Sequence, residues 1–221
     1  AAKLDDYIND PVYGWSAEDL EDIVPAFIEE GQQYSAEGTY SVPFSKSTEA
    51  MFYNPIIIGL DLSDYDKTIG DNGTITEDYI NNITWEEMFN HLAPALKKYN
   101  DAQPAETKIY DATDENSAII GYDSDDNLFI TLAEQYGYDY TSIDPITGKG
   151  QIDFVNDGMK SLMKMLNKAA VDKLFVTKGK TGDYVNTLFT ERKLLFSIGS
   201  TGGITYQSVS YTHLRAHETG R

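Results

Sequence analysis

The segment Thr39–Asn54, TYSVPFSKSTEAMFYN, contains two apolar, β-prone runs separated by five polar residues. Before the polar residues, Thr39–Phe44 carries Val, Phe and Tyr after a Glu-Gly turn signal, which predicts a strand. After them, Ala50–Tyr53 is apolar on both faces, as is typical of a strand inside a covered parallel sheet. The five residues Ser45–Glu49, called the polar link below, are therefore expected to join two buried strands and to face a polar environment.

Hydrophobic periodicity along the rest of the chain alternates between helical and extended patterns, which predicts an α/β fold with a mostly parallel sheet flanked by helices. Ser16 is predicted to cap one helix, and Thr84 is predicted to form a capping box with Glu87 at the start of another. Gly137 is predicted to end a third helix. The acidic stretch Asp61–Asn82 has the composition of a loop. The predicted helices are Ala17–Glu29, Thr84–Tyr99, Leu128–Tyr136, Phe154–Ala170 and Tyr184–Phe189, and the further predicted strands are Lys108–Tyr110, Ala118–Gly121 and Leu194–Ile198.

The order of several short motifs resembles the sugar-type (family 1) extracellular solute-binding proteins of ABC importers. A Gly-turned strand ending in Val-Pro-Phe precedes the polar link, which is followed by an apolar run ending in Tyr53-Asn54 and by the helix start Thr-Trp-Glu-Glu at Thr84–Glu87. The resemblance extends upstream to Ser16–Phe27 and downstream to Phe189–Gly203, so that it covers roughly residues 10–207. The chain departs from the family pattern at Arg192, where the family has a glycine and hence a tight turn.

The resemblance implies a periplasmic-binding-protein-like fold of type II, in which two lobes close over an oligosaccharide and present it to the permease subunits of an ABC transporter. It further implies a monomer without cofactor or catalytic residues, located in the periplasm or on the cell surface as a lipoprotein. The chain is then expected to be an internal fragment with an incomplete two-lobe fold, whose export signal lies upstream. Residues 1–47 would be the end of the first lobe and residues 48–207 most of the second, with the polar link as the bending joint.

Ligands of open α/β sheets bind outside the carboxyl ends of the strands. Three loops are predicted there, and they match the cleft-lining positions of the resembled family: the polar link, Tyr122–Asn127 and Gly199–Gly203. A sugar needs side chains that both donate and accept hydrogen bonds, together with an aromatic face for its C–H surface. The predicted ligand-binding residues are Ser45, Ser47, Thr48, Glu49, Asp123, Asp125, Asp126, Asn127, Ser200, Thr201 and Gly202, with Tyr122 and Tyr206 as the aromatic candidates.

Two other functions remain open from the sequence: a glycoside hydrolase that uses a pair of carboxylates, and a carbohydrate-binding module without a role in transport. The chain has 36 acidic and 17 basic residues, and its net charge of −19 disfavours nucleic acid and anionic membranes as partners. It has no cysteine, which excludes disulfides, thiolate metal sites and a cysteine nucleophile within these residues. Histidine catalysis is not indicated, because His91 is predicted to lie on the exposed side of its helix.

A calcium-loop pattern in the sequence is incomplete, so no metal site is predicted. Asp123, Asp125, Asn127 and Glu134 have the spacing of calcium ligands, but Leu128 stands where the loop requires glycine.

Residues 208–221 lose the acidic character of the preceding chain, and the run YTHLRAHET within them resembles a translated sequencing-adapter read-through. They are therefore predicted to be a non-native tail. No chemistry is assigned to the two histidines of this tail, His213 and His217.

Overall fold

The computed structural model describes residues 1–207, so the predicted tail with His213 and His217 lies outside the described residues. The chain forms two compact units, the first spanning Ala1–Ser47 and the second beginning at Thr48. The division falls inside the polar link, between Ser47 and Thr48.

Short helices and irregular segments make up the first unit. Its helices are α1 (Asp5–Ile8), α2 (Ala17–Asp22) and α3 (Pro25–Glu30). Ser16 caps α2 as predicted, in a capping box with Asp19. The single helix predicted over residues 17–29 is interrupted at Ile23 and Val24, neither of which is helical. Val24 directly precedes Pro25, and the proline ring drives the residue before it out of the helical region.

The strand predicted over Thr39–Phe44 is wrong, because within residues 1–47 this segment pairs with no other strand. Its backbone groups bond instead to helix ends: Thr39 O accepts from Leu4 N, and Tyr40 N donates to Gly31 O, each at 2.8 Å. Pro43 has no N–H to donate to a ladder, and Phe44 is fully exposed. The run therefore has the composition of a strand, but it has no neighbouring strand to pair with.

The second unit contains a four-stranded sheet in the order β1-β6-β2-β5. Its strands are β1 (Glu49–Tyr53), β2 (Ile120–Tyr122), β5 (Phe175–Thr177) and β6 (Phe196–Ser200), and a separate hairpin is formed by β3 (Thr141–Ile143) and β4 (Gly150–Ile152). Strand β2 runs parallel to both β5 and β6, whereas β1 pairs antiparallel with β6. The fold is therefore α/β, as predicted, but the sheet is mixed, and β1 is a half-buried antiparallel edge strand instead of a covered parallel one.

Helices of the second unit pack on both faces of this sheet. They are α4 (Glu77–Asn81), α5 (Trp85–Glu87), a π-helical turn (Met88–Leu92) that continues into α6 (Ala93–Ala102), α7 (Asp125–Gln135), α8 (Asp157–Val171), α9 (Lys178–Thr181), α10 (Val185–Thr190) and α11 (Ile204–Gln207). Within the described residues, none of the helices has the length and apolarity needed to cross a bilayer.

The two faces of the sheet belong to two hydrophobic clusters, because successive side chains of a strand point to opposite sides. Ile120, Tyr122 and Ile198 join the larger cluster, with residues of α6, α7 and α8. Val176 joins the smaller one, which includes Val185 and Phe189 of α10. Gly121 permits the close approach of α10, since a Cβ there would lie 2.9 Å from the Val185 Cβ.

Some of the local predictions are confirmed, and others are wrong. The capping box of Thr84 and Glu87 is present, and Trp85 packs against the larger cluster. The predicted loop 61–82 contains α4, which Thr76 caps. The strand predicted over Lys108–Tyr110 is wrong: Oδ1 of the buried Asn100 accepts from the backbone N–H groups of Ile109 and Tyr110, at 2.8 and 3.2 Å, where a strand partner would otherwise be needed.

Helices α7, α8 and α10 end in the same way, with a left-handed residue one position after the cap. These residues are Gly137, Lys173 and Arg192, with φ of 66°, 57° and 61°. In each case two backbone hydrogen bonds close the Schellman arrangement, as in Arg192 N to Phe189 O at 3.0 Å and Lys193 N to Leu188 O at 2.8 Å. Arg192 thus adopts the backbone conformation for which glycine is best suited, and the tight turn is present.

Candidate ligand-binding site

One edge of the mixed sheet gathers the ends of four strands. Tyr122 is in register with Thr177 of β5 and Ile198 of β6, and Glu49 at the start of β1 lies opposite Ser200 at the end of β6. The antiparallel direction of β1 therefore brings its first residue to the carboxyl ends of the three parallel strands. Ligands of open α/β sheets bind at such an edge, which we call the carboxyl edge.

Glu49 connects three elements at the carboxyl edge. Its carboxylate accepts a hydrogen bond from the Tyr122 hydroxyl and another, at 3.1 Å, from Nδ2 of Asn127. Burial and the Glu49 hydrogen bond raise the pKa of Tyr122 far above its ordinary value. Both oxygens of Glu49 are thus engaged by the protein, and the start of β1 is fastened to β2 and α7.

Tyr122 does not supply the aromatic face that was predicted for it. Its side chain is 1% exposed, and its ring stacks on Trp85 with the centroids 6.4 Å apart. Successive residues of a strand point to opposite faces of the sheet. Ile120 and Tyr122 point to the face covered by the larger hydrophobic cluster, and Gly121 between them points to the other face. Tyr122 therefore positions Glu49 and offers no ring to a solute.

Asp125 and the segment after β5 form a second connection. Oδ1 of Asp125 accepts from the Thr177 hydroxyl at 2.6 Å, and Oδ2 accepts from Gly179 N at 2.8 Å. Ser124 caps α7 by accepting from Asn127 N at 3.2 Å. Among residues 1–207, no group of three or more acidic or histidine side chains is arranged to hold a metal ion.

The predicted loop after β6 is bonded to the start of the second unit. Thr201 N donates to Thr48 O at 2.8 Å, and Thr48 N donates to the Thr201 hydroxyl at 3.3 Å. The Ser200 hydroxyl accepts from Gly202 N at 3.1 Å, which closes a short 3-10 turn. These polar groups extend the β1–β6 pairing by one step beyond the strands.

Asp123 projects from the end of β2 into a half-buried position. Its Oδ1 accepts from Val185 N at 2.7 Å. Burial raises the pKa of Asp123, an effect that the Val185 hydrogen bond and the charge of Lys178 oppose and the charge of Glu49 reinforces. A Cβ at position 199 would lie 2.4 Å from Oδ2 of Asp123, so this carboxylate can occupy its place only beside a glycine.

A cavity of about 490 Å³ opens beside Asp123. The two tyrosines at its wall, Tyr184 and Tyr206, are 55% and 66% exposed, which leaves the Tyr206 ring accessible to a ligand. The ammonium of Lys178 lies 3.4 Å from the centre of the Tyr184 ring. The lining residues are Asp123, Tyr184, Asn186, Thr187, Ser200, Gly203, Tyr206 and Gln207.

Gln207 is the most deeply buried polar residue of this lining, with 3% of its surface exposed. Its Nε2 donates to the buried Ser197 hydroxyl at 3.1 Å. Its Oε1 has no hydrogen-bond partner among the described residues. Among the described residues, Asn116 Oδ1 and Asp153 Oδ2 are buried without a partner in the same way.

Three of the residues predicted from the sequence line this cavity: Asp123, Ser200 and Tyr206. The predicted residues that lie at the carboxyl edge without lining the cavity are Thr48, Glu49, Tyr122, Asp125, Asp126, Asn127, Thr201 and Gly202. Ser45 and Ser47 belong to the first unit and not to the sheet of the second.

Tyr184, Asn186 and Gln207 also line the cavity but were not predicted from the sequence. The position of Tyr184 and Asn186 at the start of a helix between two parallel strands was the available signal, since such segments lie at the carboxyl edge. Gln207 follows the predicted loop by four residues and carried no sequence signal of its own.

A second cavity of about 480 Å³ lies on the face of the larger hydrophobic cluster. Most of its wall is apolar, as at Met51, Trp85 and Ile120. Two pairs of polar groups at its rim are hydrogen-bonded within the protein: Trp85 Nε1 donates to Gln135 at 2.7 Å, and the Tyr136 hydroxyl donates to Glu86 at 2.6 Å.

No protein-family model matches this chain, and no curated protein matches it either.

Proposed function

We propose that this chain is the solute-capturing part of an ABC importer and binds an oligosaccharide at the carboxyl edge of the second unit. The observation that carries the proposal is the cavity beside Asp123, which is lined by this half-buried carboxylate, by Ser200 and by the exposed Tyr206. These are the groups that a polyol needs, since its hydroxyls require polar partners and its C–H face requires an aromatic surface.

The finer fold assignment rests on the sequence resemblance. We propose a type II periplasmic-binding-protein-like fold with an incomplete pair of lobes, divided at the polar link. A solute that binds both lobes better in their closed arrangement would shift the population toward closure, and the closed form would be presented to the permease subunits. The same resemblance supports a location outside the cytoplasm and a monomeric state.

We further propose that binding occurs without chemical conversion. A hydrolase of the two-carboxylate type needs one carboxyl group to protonate the leaving oxygen and another to act as base or nucleophile. Glu49 and Asp125 have both oxygens occupied by hydrogen bonds from the protein, which favours a structural role for each. Asp123 is the only carboxylate among the described residues that line the cavity.

Calorimetric titration of the 221-residue chain with maltose-, xylan- and mannan-derived oligosaccharides tests the proposal. At least one series is expected to bind, and the sugar recovered afterwards is expected to be unchanged by chromatography. Replacing Tyr206 with Ala should lower affinity about tenfold through loss of stacking, whereas Tyr206→Phe, which keeps the ring, should bind nearly as well.

Absence of binding across the panel would refute the proposal, and release of shorter sugars would replace it with a hydrolase. Equal affinities for Tyr206→Ala and Tyr206→Phe would remove the cavity from the site. Small-angle scattering separates transport from simple adhesion, because only the hinged protein is expected to become more compact when it binds its solute.

A further inference from the structure

The cavity of about 480 Å³ on the face of the larger hydrophobic cluster shares no lining residue with the cavity beside Asp123. Side chains of β1, β2 and β6 meet there with residues 80–88 and with the end of α7. Its volume lies within the range of about 300–1,000 Å³ found for small-molecule sites. It is therefore a second candidate site, separate from the one on which the proposed function rests.

The part of this cavity wall that a ligand can reach is mainly apolar. Met51, Ile83, Trp85 and Tyr136 are half-buried, so each keeps some of its surface open to solvent. The floor is closed by residues that are at most 2% exposed, namely Ile80, Met88 and Ile120. Removing apolar surface from water is favourable in proportion to its area, so the wall favours a ligand with an apolar body.

The shape of that body is indicated by Trp85 and Met51. The Trp85 ring already stacks on two rings of the protein, with its centroid 5.7 Å from that of Phe89 and 6.4 Å from that of Tyr122. Met51 has an unbranched, flexible side chain that adapts to irregular neighbours. The wall therefore suits a flexible aliphatic chain better than a flat ring that would compete for Trp85.

The mouth of the cavity carries a negative charge. Glu86 is exposed and is the only charged residue among the described residues of the lining. Its Oε1 accepts from the Tyr136 hydroxyl at 2.6 Å, which holds the carboxylate at the rim. The salt bridges of residues 1–207 do not include Glu86. Together with the net charge of −19, this carboxylate attracts a positive head group and repels a negative one.

We propose that this cavity binds a cationic aliphatic amphiphile, whose chain lies against Met51 and Ile83 and whose ammonium lies at Glu86. The chain supplies most of the affinity, because each methylene group that it buries strengthens binding by up to about fourfold. The ammonium remains partly in water, where an ion pair with a carboxylate changes affinity by about two- to fivefold.

Matched ligands separate the chain from the head group. The 221-residue chain is titrated by calorimetry at neutral pH with butylamine, hexylamine and octylamine, and with octanol and octanoate as the uncharged and negative ligands of equal length. Affinity is expected to rise from butylamine to octylamine, with one molecule bound per chain. Octylamine is expected to bind about tenfold more tightly than octanoate, since Glu86 attracts the first and repels the second.

Variants assign binding to the wall and to the mouth. Ile83→Ser should weaken octylamine and octanol alike, by at least threefold, because it removes apolar surface that both chains contact. Ile130→Ser changes an isoleucine of α7 that is 40% exposed outside the cavity, and should leave both affinities unchanged.

Glu86→Gln keeps the shape of the side chain and should lower the ratio of octylamine to octanol affinity by about two- to fivefold. Glu106→Gln removes the same charge from an exposed position outside the cavity and should leave that ratio unchanged. Thermal melting of each unliganded variant shows whether it remains folded, and the exposed Glu86 position tests the site even if Ile83→Ser unfolds.

Each opposite result would overturn the inference. Equal affinities for octylamine and octanoate would refute the cationic head, and affinities that do not rise with chain length would refute the aliphatic body. Octylamine binding that a folded Ile83→Ser variant leaves unchanged, or that Tyr206→Ala abolishes, would place the amphiphile outside this cavity. Failure of the oligosaccharides to bind would refute the proposed function alone, because the two cavities have no lining residue in common.

Discussion

Replacing Arg192 with glycine is expected to stabilise the second unit by about 0.5–1 kcal/mol. Arg192 has φ of 61°, a left-handed conformation that costs a residue with a Cβ roughly 1–2 kcal/mol. Glycine removes that cost but adds about 0.4–1 kcal/mol of conformational entropy to the unfolded chain. The difference leaves a net gain, because the turn itself is held by backbone bonds that every residue can make.

The side chain of Arg192 complicates the comparison, since Nη2 donates a long hydrogen bond of 3.4 Å to Lys108 O. Arg192→Ala is therefore the matched reference: it removes the guanidinium and keeps the Cβ. The free energy of unfolding is expected to be higher for Arg192→Gly than for Arg192→Ala. Lys173→Gly against Lys173→Ala repeats the test at φ of 57°, and Gly137→Ala reverses it at φ of 66°.

Urea denaturation followed by tryptophan fluorescence measures these differences. The chain has two tryptophans, Trp15 in the first unit and Trp85 in the second, so a Trp15→Phe background makes the signal specific to the second unit. The midpoint should move at constant slope, which identifies a change in stability and not in the extent of unfolding. A glycine variant less stable than its alanine counterpart at both Arg192 and Lys173 would refute the reasoning.

Three further outcomes are expected in the second unit. Tyr122→Phe should lower the free energy of unfolding by about 1–2 kcal/mol in urea, because Glu49 loses a hydrogen bond made to a charged acceptor. Asn100→Ala should cost about 3 kcal/mol in the same assay, because Asn100 is fully buried and its amide serves Ile109 N, Tyr110 N and Tyr110 O. Hydrogen bonds from Thr68 and His91 lower the pKa of Asp66 from 3.8 to about 2, so its contribution is present above pH 3.8 and is lost as pH falls toward 2; acid titration of Asp66→Asn should show a shallower decline in that window.

Each of these outcomes has its own control. Tyr136→Phe removes a similar hydrogen bond to a more exposed carboxylate, Glu86, and should cost less than Tyr122→Phe; the opposite order would contradict the role given to Glu49. Asn127→Ala, at an exposed position, should cost far less than Asn100→Ala, and comparable losses would contradict the argument from burial. Parallel acid titrations for the native chain and Asp66→Asn would contradict the lowered pKa given to Asp66.

The helix starts and ends that depend on residues close together in the sequence could be predicted from the sequence. Ser16 and Thr84 cap their helices because a capping residue and its partner lie three positions apart, and Gly137 ends α7 for the same local reason. The run Ala50–Tyr53 was predicted to be a strand, but its antiparallel pairing depends on β6, which lies about 150 residues later in the sequence. Pairing across such a separation is invisible in either segment alone.

The dependence on distant parts of the chain also explains which residues of the candidate site could be predicted and which could not. Asp123, Ser200 and Tyr206 were predicted because they follow strands, and following a strand is a property of the sequence. Tyr122 was predicted to offer an exposed ring, but its side chain points into the interior. This direction depends on the register of β2 with β5 and β6, which the local sequence does not show. Gln207 became notable only when its neighbours showed that one amide atom is paired and the other is not.

On each side of the boundary between the two units, the residues next to it are held by contacts within their own unit. Thr48 forms two hydrogen bonds with Thr201, and Glu49 accepts hydrogen bonds from Tyr122 and Asn127. On the other side, the Lys46 ammonium is paired with Glu30 and lies over the Phe27 ring. Ser47 lies between these two sets of contacts, so we expect that the bending joint proposed for the polar link lies at the backbone torsions of this residue.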